Sequence, residues 1–248
     1  MYNRWTAERA SHARIAPLQA RPMSHPLSHI DAWIFDLDNT LYPARTNLFA
    51  QIDARMGAYI GRLLDVDAAV AHQVQKRFFH AHGTTLRGLM NEHGVDPREF
   101  LDDVHDIDFS VVSAAPMLVE AIALLPGRKL IFTNADSDYA QRVLDRIGLG
   151  SAFEAIHDIH ATGYLPKPDA RAYDGLCEAY AIDPTRALFV EDMVRNLKPA
   201  KAIGMTTVWV DNGSEQGPAH DVPDFIDYTI DDVGDWLSVV AAELKDAA

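Results

Sequence analysis

Short apolar runs and amphipathic stretches alternate along most of the chain. Ala32-Trp33-Ile34-Phe35 is a continuous apolar run ending at an acidic turn, the pattern of a strand buried on both faces. Similar runs recur at Leu130-Ile131-Phe132, Ala187-Leu188-Phe189-Val190 and Thr206–Val210, with a weaker one at Phe225–Ile230. Between them lie stretches with helical character: Met117–Leu125, Ser137–Ile147, Asp169–Ala181 and Asn196–Ile203. Gly148 and Gly204 stand just past two of these, where a helix end favours a residue free to take positive φ. Strands alternating with helices predict an α/β fold, a doubly wound and mainly parallel sheet covered on both faces.

The alternation breaks once. Between residues 43 and 113 no strand pattern is visible, whereas Leu48, Ile52, Met56, Tyr59, Ile60 and Leu63 form the stripe of an amphipathic helix. A second helix is predicted over Asp67–Phe79 and a third over Thr85–His93. Asp96-Pro97-Arg98-Glu99 then supplies an N-cap, a proline at the first helical position and a glutamate at the third. An all-helical insert directly after the first strand sits over the carboxyl ends of the strands, where doubly wound sheets bind ligands. It reads as a cap. The expected division is an α/β core over 31–42 and 114–248, with a helical cap over 43–113.

Residues 1–30 differ from the rest. They hold Arg4, Arg9, Arg14 and Arg21 against Glu8, with Pro17, Pro22 and Pro26 and no sustained hydrophobic period. A disordered tail is expected, with a transit-like leader or a start at Met23 as the other readings.

Composition narrows the function classes. With 48% hydrophobic and 23% charged residues, the 248-residue chain has ordinary globular composition, and its 10 Phe, 8 Tyr and 4 Trp exclude disorder over most of its length. No apolar run approaches the ~18 residues of a membrane span, so a soluble protein is expected. Lys and Arg number 22 against 36 Asp and Glu, a net charge of -14, which argues against nucleic acid polymers and anionic membranes as partners. A phosphate-bearing ligand must therefore be received by a few local cations or a metal. Cys177 is the only cysteine, which excludes intramolecular disulfides and makes a reducing cytoplasm the default.

The candidate chemistry lies at strand ends. Asp36 and Asp38 follow the first run, and side chains two apart on an extended chain share a face, so both point into one crevice. Crowded carboxylates repel until a cation neutralises one or a proton binds. Such a pair suits covalent phosphoryl transfer, one member as nucleophile and the other as proton donor. Thr133-Asn134 ends the second run with a hydroxyl and free backbone N–H groups. Lys167 is framed by Pro166 and Pro168, and Glu191-Asp192 offers hard oxygen ligands suited to magnesium. Each has a bland reading alone, as a helix cap, a loop cation or an acidic turn; their ordered appearance at successive strand ends favours a site.

These four motifs resemble those of the haloacid dehalogenase superfamily, over about residues 31–210. The Asp36-Leu37-Asp38-Asn39-Thr40-Leu41-Tyr42-Pro43 wording, with Gly83-Thr84-Thr85-Leu86-Arg87-Gly88-Leu89, is most similar to the pyrimidine 5′-nucleotidase branch. The resemblance implies an aspartyl-phosphate formed on Asp36, with Asp38 as general acid and then base. It implies phosphoryl binding by Thr133 and Lys167, assisted by the backbone at Asn134. Mg2+ would be held by Asp36, the carbonyl of Asp38 and Asp192, with Glu191 in a secondary role and Asn196 orienting the lysine or a metal-bound water. The substrate implied is a small phosphorylated metabolite, with nucleoside 5′-monophosphates first.

Specificity is expected from the cap, through Arg87 and through Tyr42 and Arg45 at its entrance, each arginine being equally readable as a surface ion-pair residue. Within the same superfamily a phosphomutase or another metabolite phosphatase fits the motifs. A 2-haloacid dehalogenase shares the nucleophile but has no need of Asp38, because a halide leaves without a proton. A non-catalytic binding module conflicts with five intact site positions. His72, His80, His82, His93 and His105 are expected to be surface or helix-terminal, and Cys177 a structural thiol.

Overall fold

The run Ala32–Phe35 forms β1, buried at every residue, in the middle of a parallel sheet. The computed structural model describes residues 25–213 and 222–246. Its other strands are β2 (Arg128–Phe132), β3 (Ala155–His157), β4 (Ala187–Glu191), β5 (Thr206–Val210) and β6 (Tyr228–Ile230). Their spatial order is β3-β2-β1-β4-β5-β6 and all neighbours run parallel. The chain leaves β1 towards β2 on one side and later returns to β4 on the other. This reversal beside β1 is the switch point at which open α/β sheets bind ligands.

Side-chain alternation along β1 builds two cores. Trp33 and Phe35 pack with Leu118 and Ile122 of α5 (Pro116–Leu124), Tyr139 and Val143 of α6 (Ser137–Ile147) and Leu237 of α9 (Val233–Asp246). Ala32 and Ile34 pack with Tyr173 and Leu176 of α7 (Ala170–Tyr180) and Leu197 of α8 (Val194–Ala202). Helices thus cover both faces, which is why the strands are apolar throughout rather than alternating.

The segment after β1 holds α1 (Leu48–Leu64), α2 (Ala68–His82), α3 (Thr85–His93) and α4 (Pro97–Val104). Asp67, Thr84 and Asp96 cap the last three by accepting backbone N–H bonds from Val70, Arg87, and Arg98 with Glu99. Gly88 lets α3 lie against α2, since a Cβ there would stand 2.4 Å from the buried Phe78 side chain.

Two expectations need correction. The tail through residue 30 stops short: Leu27 and Ile30 are buried in the larger core, and His25 lies 2.9 Å from Glu243 of α9. Two isolated apolar positions carry no period, so their packing was invisible in sequence. Residues 1–24, with the arginines and Met23, lie outside the described residues. Strand β3 was not foreseen either, because three residues at a sheet edge give no pattern to read. Among the described residues no helix is long and apolar enough to cross a membrane.

Candidate active site

Strand pairing aligns the ends of β1, β2 and β4, and most of the predicted residues converge there. The Asp36 amide continues the ladder past β1 by donating to the Val190 carbonyl at 2.9 Å. The chain then turns through Asn39, whose φ of +58° is left-handed. That turn returns the Thr40 hydroxyl to Asp36 Oδ2 at 3.1 Å.

Lys167 lies at the centre, 1% exposed. Its Nζ donates to Asp36 Oδ1 at 2.6 Å, to Glu191 Oε2 at 2.8 Å and to the Phe132 carbonyl at 2.8 Å, so all its N–H donors are engaged. Burial works against its charge, but Asp36 and Glu191 outweigh burial and hold the ammonium above the ordinary lysine range. Its backbone is fixed by Asn134. The amide oxygen of Asn134 accepts from the Lys167 N–H at 2.8 Å, and its Nδ2 donates to the Lys167 carbonyl at 3.2 Å. Asn134 was expected to act through its backbone on phosphate; here its side chain clamps the lysine loop. Thr133 is buried, and its hydroxyl oxygen accepts from the Ala135 N–H at 3.0 Å, which leaves the hydroxyl proton to donate elsewhere.

Glu191 departs from the secondary role expected of it. Strand neighbours diverge, but β4 ends at Glu191 and alternation ends with it. Its side chain bends back to accept the Met193 N–H at 3.1 Å, while Oε2 faces Lys167 and the Asn196 amide at 3.1 Å. Asp36, Glu191 and Asp192 each offer a carboxylate oxygen within 4.8 Å of the others, all buried. Asn196 therefore orients Glu191 and reaches Lys167 through it.

This cluster is short of positive charge. Burial, then Glu191, push the Asp36 carboxyl up to about 7 despite Lys167 beside it. Burial, then Glu191 and Asp36, push Asp192 well up too. Three buried carboxylates share one ammonium, and hard oxygen donors at this spacing suit a small divalent cation.

Asp38 is half-buried, and its carboxyl is raised by burial against the hydrogen bonds that lower it. Those bonds come from Tyr42 at 2.5 Å and Tyr139 at 2.6 Å, both donating to Oδ1, so Oδ2 is left for other partners. Tyr42, expected to read the substrate, instead holds Asp38. Tyr139 was missed altogether. It stacks on His105 at 4.3 Å between ring centres, and His105 Nδ1 lies 2.5 Å from Asp136 Oδ2. Asp136 also caps α6 through the Tyr139 amide at 2.7 Å. His105 is helix-terminal as expected, at the C-cap of α4, and it is buried rather than at the surface. The only sequence signal was an aromatic residue in the first turn of the helix after Thr133.

The remaining cap candidates separate. Arg45 is exposed on the short turn Ala44–Thr46 and is not gathered with the cluster. Arg87 donates to the Tyr164 carbonyl at 3.3 Å and lines a cavity beside the lysine loop. Cys177 is half-buried in α7, with burial pushing its thiol up to about 11, as a structural role requires.

Known proteins resemble this chain in sequence and in fold. The chain is 31% identical over 189 residues to Phosphoglycolate phosphatase of Mesorhizobium japonicum, covering 73% of this chain and 82% of that protein. It is 22% identical to Phosphate metabolism protein 8 of Saccharomyces cerevisiae over 70% of this chain, and it spans only 59% of that protein's length. Among solved structures, the HAD phosphatase from Thermococcus onnurineus superposes with a TM-score of 0.58 at 17% identity, covering 85% of this chain and 98% of that one. L-2-haloacid dehalogenase from Xanthobacter autotrophicus gives 0.55 at 17% identity, with coverages of 85% and 98%. At such identities these two structures speak to the fold alone. The family described as haloacid dehalogenase-like hydrolase matches residues 30–204, and with the geometry above it follows that the chain belongs to the haloacid dehalogenase-like hydrolases.

Proposed function

We propose that the chain is a magnesium-dependent phosphomonoesterase that works through an aspartyl-phosphate on Asp36. The observation that carries this reading is a second carboxyl, Asp38, beside the Asp36 turn, its Oδ1 bound by two tyrosines and its other oxygen unclaimed by them. A hydrolase that expels halide has no use for such a group; one that expels an alkoxide needs it.

Asp36 attacks phosphorus, the bond from phosphorus to the ester oxygen breaks, and Asp38 delivers a proton to that oxygen as it takes the electron pair. Asp38, now a carboxylate, accepts a proton from the water that attacks the aspartyl-phosphate, and phosphate leaves with Asp36 restored. Lys167 already spends its donors on Asp36, Glu191 and Phe132, so it receives a phosphoryl oxygen by exchanging one of these contacts. The Thr133 hydroxyl supplies a further donor. Asp36, Asp192 and the Asp38 carbonyl would hold Mg2+, with Glu191 beside them. When bound, the ion supplies positive charge against the carboxylates and the phosphoryl oxygens.

The substrate is a small phosphorylated metabolite. The relative named Phosphoglycolate phosphatase supports short acid phosphates, whereas the stretch Gly83–Leu89 supports nucleoside 5′-monophosphates. Phosphate release from phosphoglycolate, sugar phosphates and nucleoside monophosphates, with and without magnesium, tests the reading. No release from any of them, together with halide release from a 2-haloacid, would replace it with dehalogenation.

A further inference from the structure

Between the helical insert and the core lies a cavity of about 420 Å³ that is separate from the catalytic cluster: neither Asp36, Asp38, Thr133, Lys167 nor Asp192 lines it. Its walls are the α2–α3 junction, the prolines on either side of Lys167, the start of α7 and the first turn of α8. Arg87, Arg171 and Arg195 line it with one carboxylate, Asp169. In a chain of net charge -14 this local excess of cations is unusual.

The excess rests on two residues. Both oxygens of Asp169 are taken by Arg171, Oδ1 from Nε at 2.9 Å and Oδ2 from Nη2 at 2.6 Å, so that pair is self-neutralised. Arg87 and Arg195 donate only to carbonyls, Arg87 to Tyr164 at 3.3 Å and Arg195 to Gly83 at 3.0 Å. Arg195 is further fixed by its guanidinium over the Phe79 ring at 4.2 Å. These contacts aim two guanidiniums, and among the described residues neither forms an ion pair; Glu191 acts on Arg195 and Asp169 on Arg87 only at longer range. Burial works against the Arg195 charge and outweighs the pull of Glu191, and an anion in direct contact would relieve that cost.

We infer that this seam holds a second binding site, for a small oxyanion (a carboxylate or a phosphate group) gripped by Arg87 from the insert and Arg195 from the core. Guanidinium forks match two-oxygen anions, and the volume suits a small metabolite. Because one arginine comes from each side, the anion ties insert to core across the lysine loop. Its source is either the acidic tail of a substrate or a free anion.

Inorganic sulfate, titrated by calorimetry into the metal-free full chain at constant ionic strength, isolates this site. Without metal the catalytic cluster sets Asp36, Glu191 and Asp192 against Lys167 alone and repels anions. One sulfate is expected to bind per chain, and Arg87→Gln and Arg195→Gln are each expected to weaken it by about tenfold or more. Arg62→Gln removes an equal charge from an exposed residue paired with Asp103, and sulfate affinity should stay within about threefold. If Arg195→Gln fails to fold, Arg87→Lys serves, keeping the charge but losing the fork, with an expected loss of about threefold or more. No saturable binding, or equal losses in all variants including Arg62→Gln, would overturn the site. The titration involves no turnover, so it stands or falls apart from the phosphatase reading. Kinetics then separate the sources. A KM raised by Arg87→Gln for phosphoglycolate and not for 2-hydroxyethyl phosphate, whose tail is uncharged, marks a substrate tail. Unchanged KM values with a sulfate-dependent kcat mark a free anion.

Discussion

Replacing Tyr139 by Phe removes one oxygen beside Asp38, the proposed proton donor, and little else. The ring keeps its stack on His105 and its contact with Phe109, and α6 keeps the Asp136 cap through the backbone. What disappears is the 2.6 Å hydrogen bond to Asp38 Oδ1, leaving Tyr42 alone on that oxygen. A hydrogen bond to a charged group contributes about 1.5–3 kcal/mol, which corresponds to roughly 10–100-fold in rate if the bond acts in the transition state. The loss should follow the leaving group. Alkyl phosphates expel a strongly basic alkoxide and depend on a well-placed Asp38 proton, so their kcat should fall by roughly 10–100-fold. p-Nitrophenyl phosphate expels a weakly basic phenolate and should stay within about threefold. The assay is kcat against leaving-group pKa for a series of phosphate monoesters, with a steeper slope expected in the variant. Equal losses across the series would make Tyr139 a support for the fold or for phosphate. An unchanged series would mean that Tyr42 alone positions Asp38.

Other perturbations reach the nucleophile, the metal, the buried titratable groups and the helical insert. Asp36→Asn should lower phosphate release by ~100-fold or more with the circular dichroism spectrum intact, and a wild-type rate with deamidation excluded would dismiss Asp36 as nucleophile. Chelation should stop turnover and magnesium restore it; full activity in EDTA would turn the reading towards dehalogenation. In metal-free protein the raised Asp36 carboxyl lets the folded state hold a proton that the unfolded state releases, so this group's stabilisation is lost as pH rises from 3.8 to about 7. Asp36→Asn should therefore flatten the decline of melting temperature across that range, and parallel curves for wild type and variant would refute the assignment. His157 is buried with neither ring nitrogen partnered, and burial lowers its pKa below 6.5. Its unfolded form then takes up a proton as pH falls through 6.5 while the folded form resists, so acid destabilises; His157→Phe should lessen that loss, and an identical acid response in both proteins would exclude His157 as its source. Gly88→Ala drives a methyl to 2.4 Å from Phe78 and should cost about 1–3 kcal/mol in urea unfolding, a cost absent only if α2 and α3 separate freely.

Much of this protein is legible in its sequence because the causes are local. An apolar run of four residues, Ala32–Phe35, marks a doubly buried strand wherever it lies in a sheet, and Ser137–Ile147 carries its own period and its own terminal glycine. Asp36, Asp38, Thr133, Lys167 and Asp192 could be singled out because parallel strands present their following loops on one edge, so order along the chain already implies a shared crevice. Proximity between residues remote in sequence is a different matter. Nothing near Tyr139 announces Asp38, 101 positions away, and nothing near Glu191 announces that Lys167, 24 positions earlier, turns back to it. Sheet order and helix packing decide these pairings, and with them the charge balance. A carboxylate's ordinary pKa follows from its own chemistry, but the rise of Asp36 to about 7 requires burial and the company of Glu191. Leu27 and Ile30 make the same point for the core, since two apolar residues without a period become part of it only because a surface of the folded chain receives them. Sequence determined which residues could act and which elements would carry them; the tertiary structure decided which of them meet, because burial and Coulomb interaction depend on distance in space and not on separation along the chain.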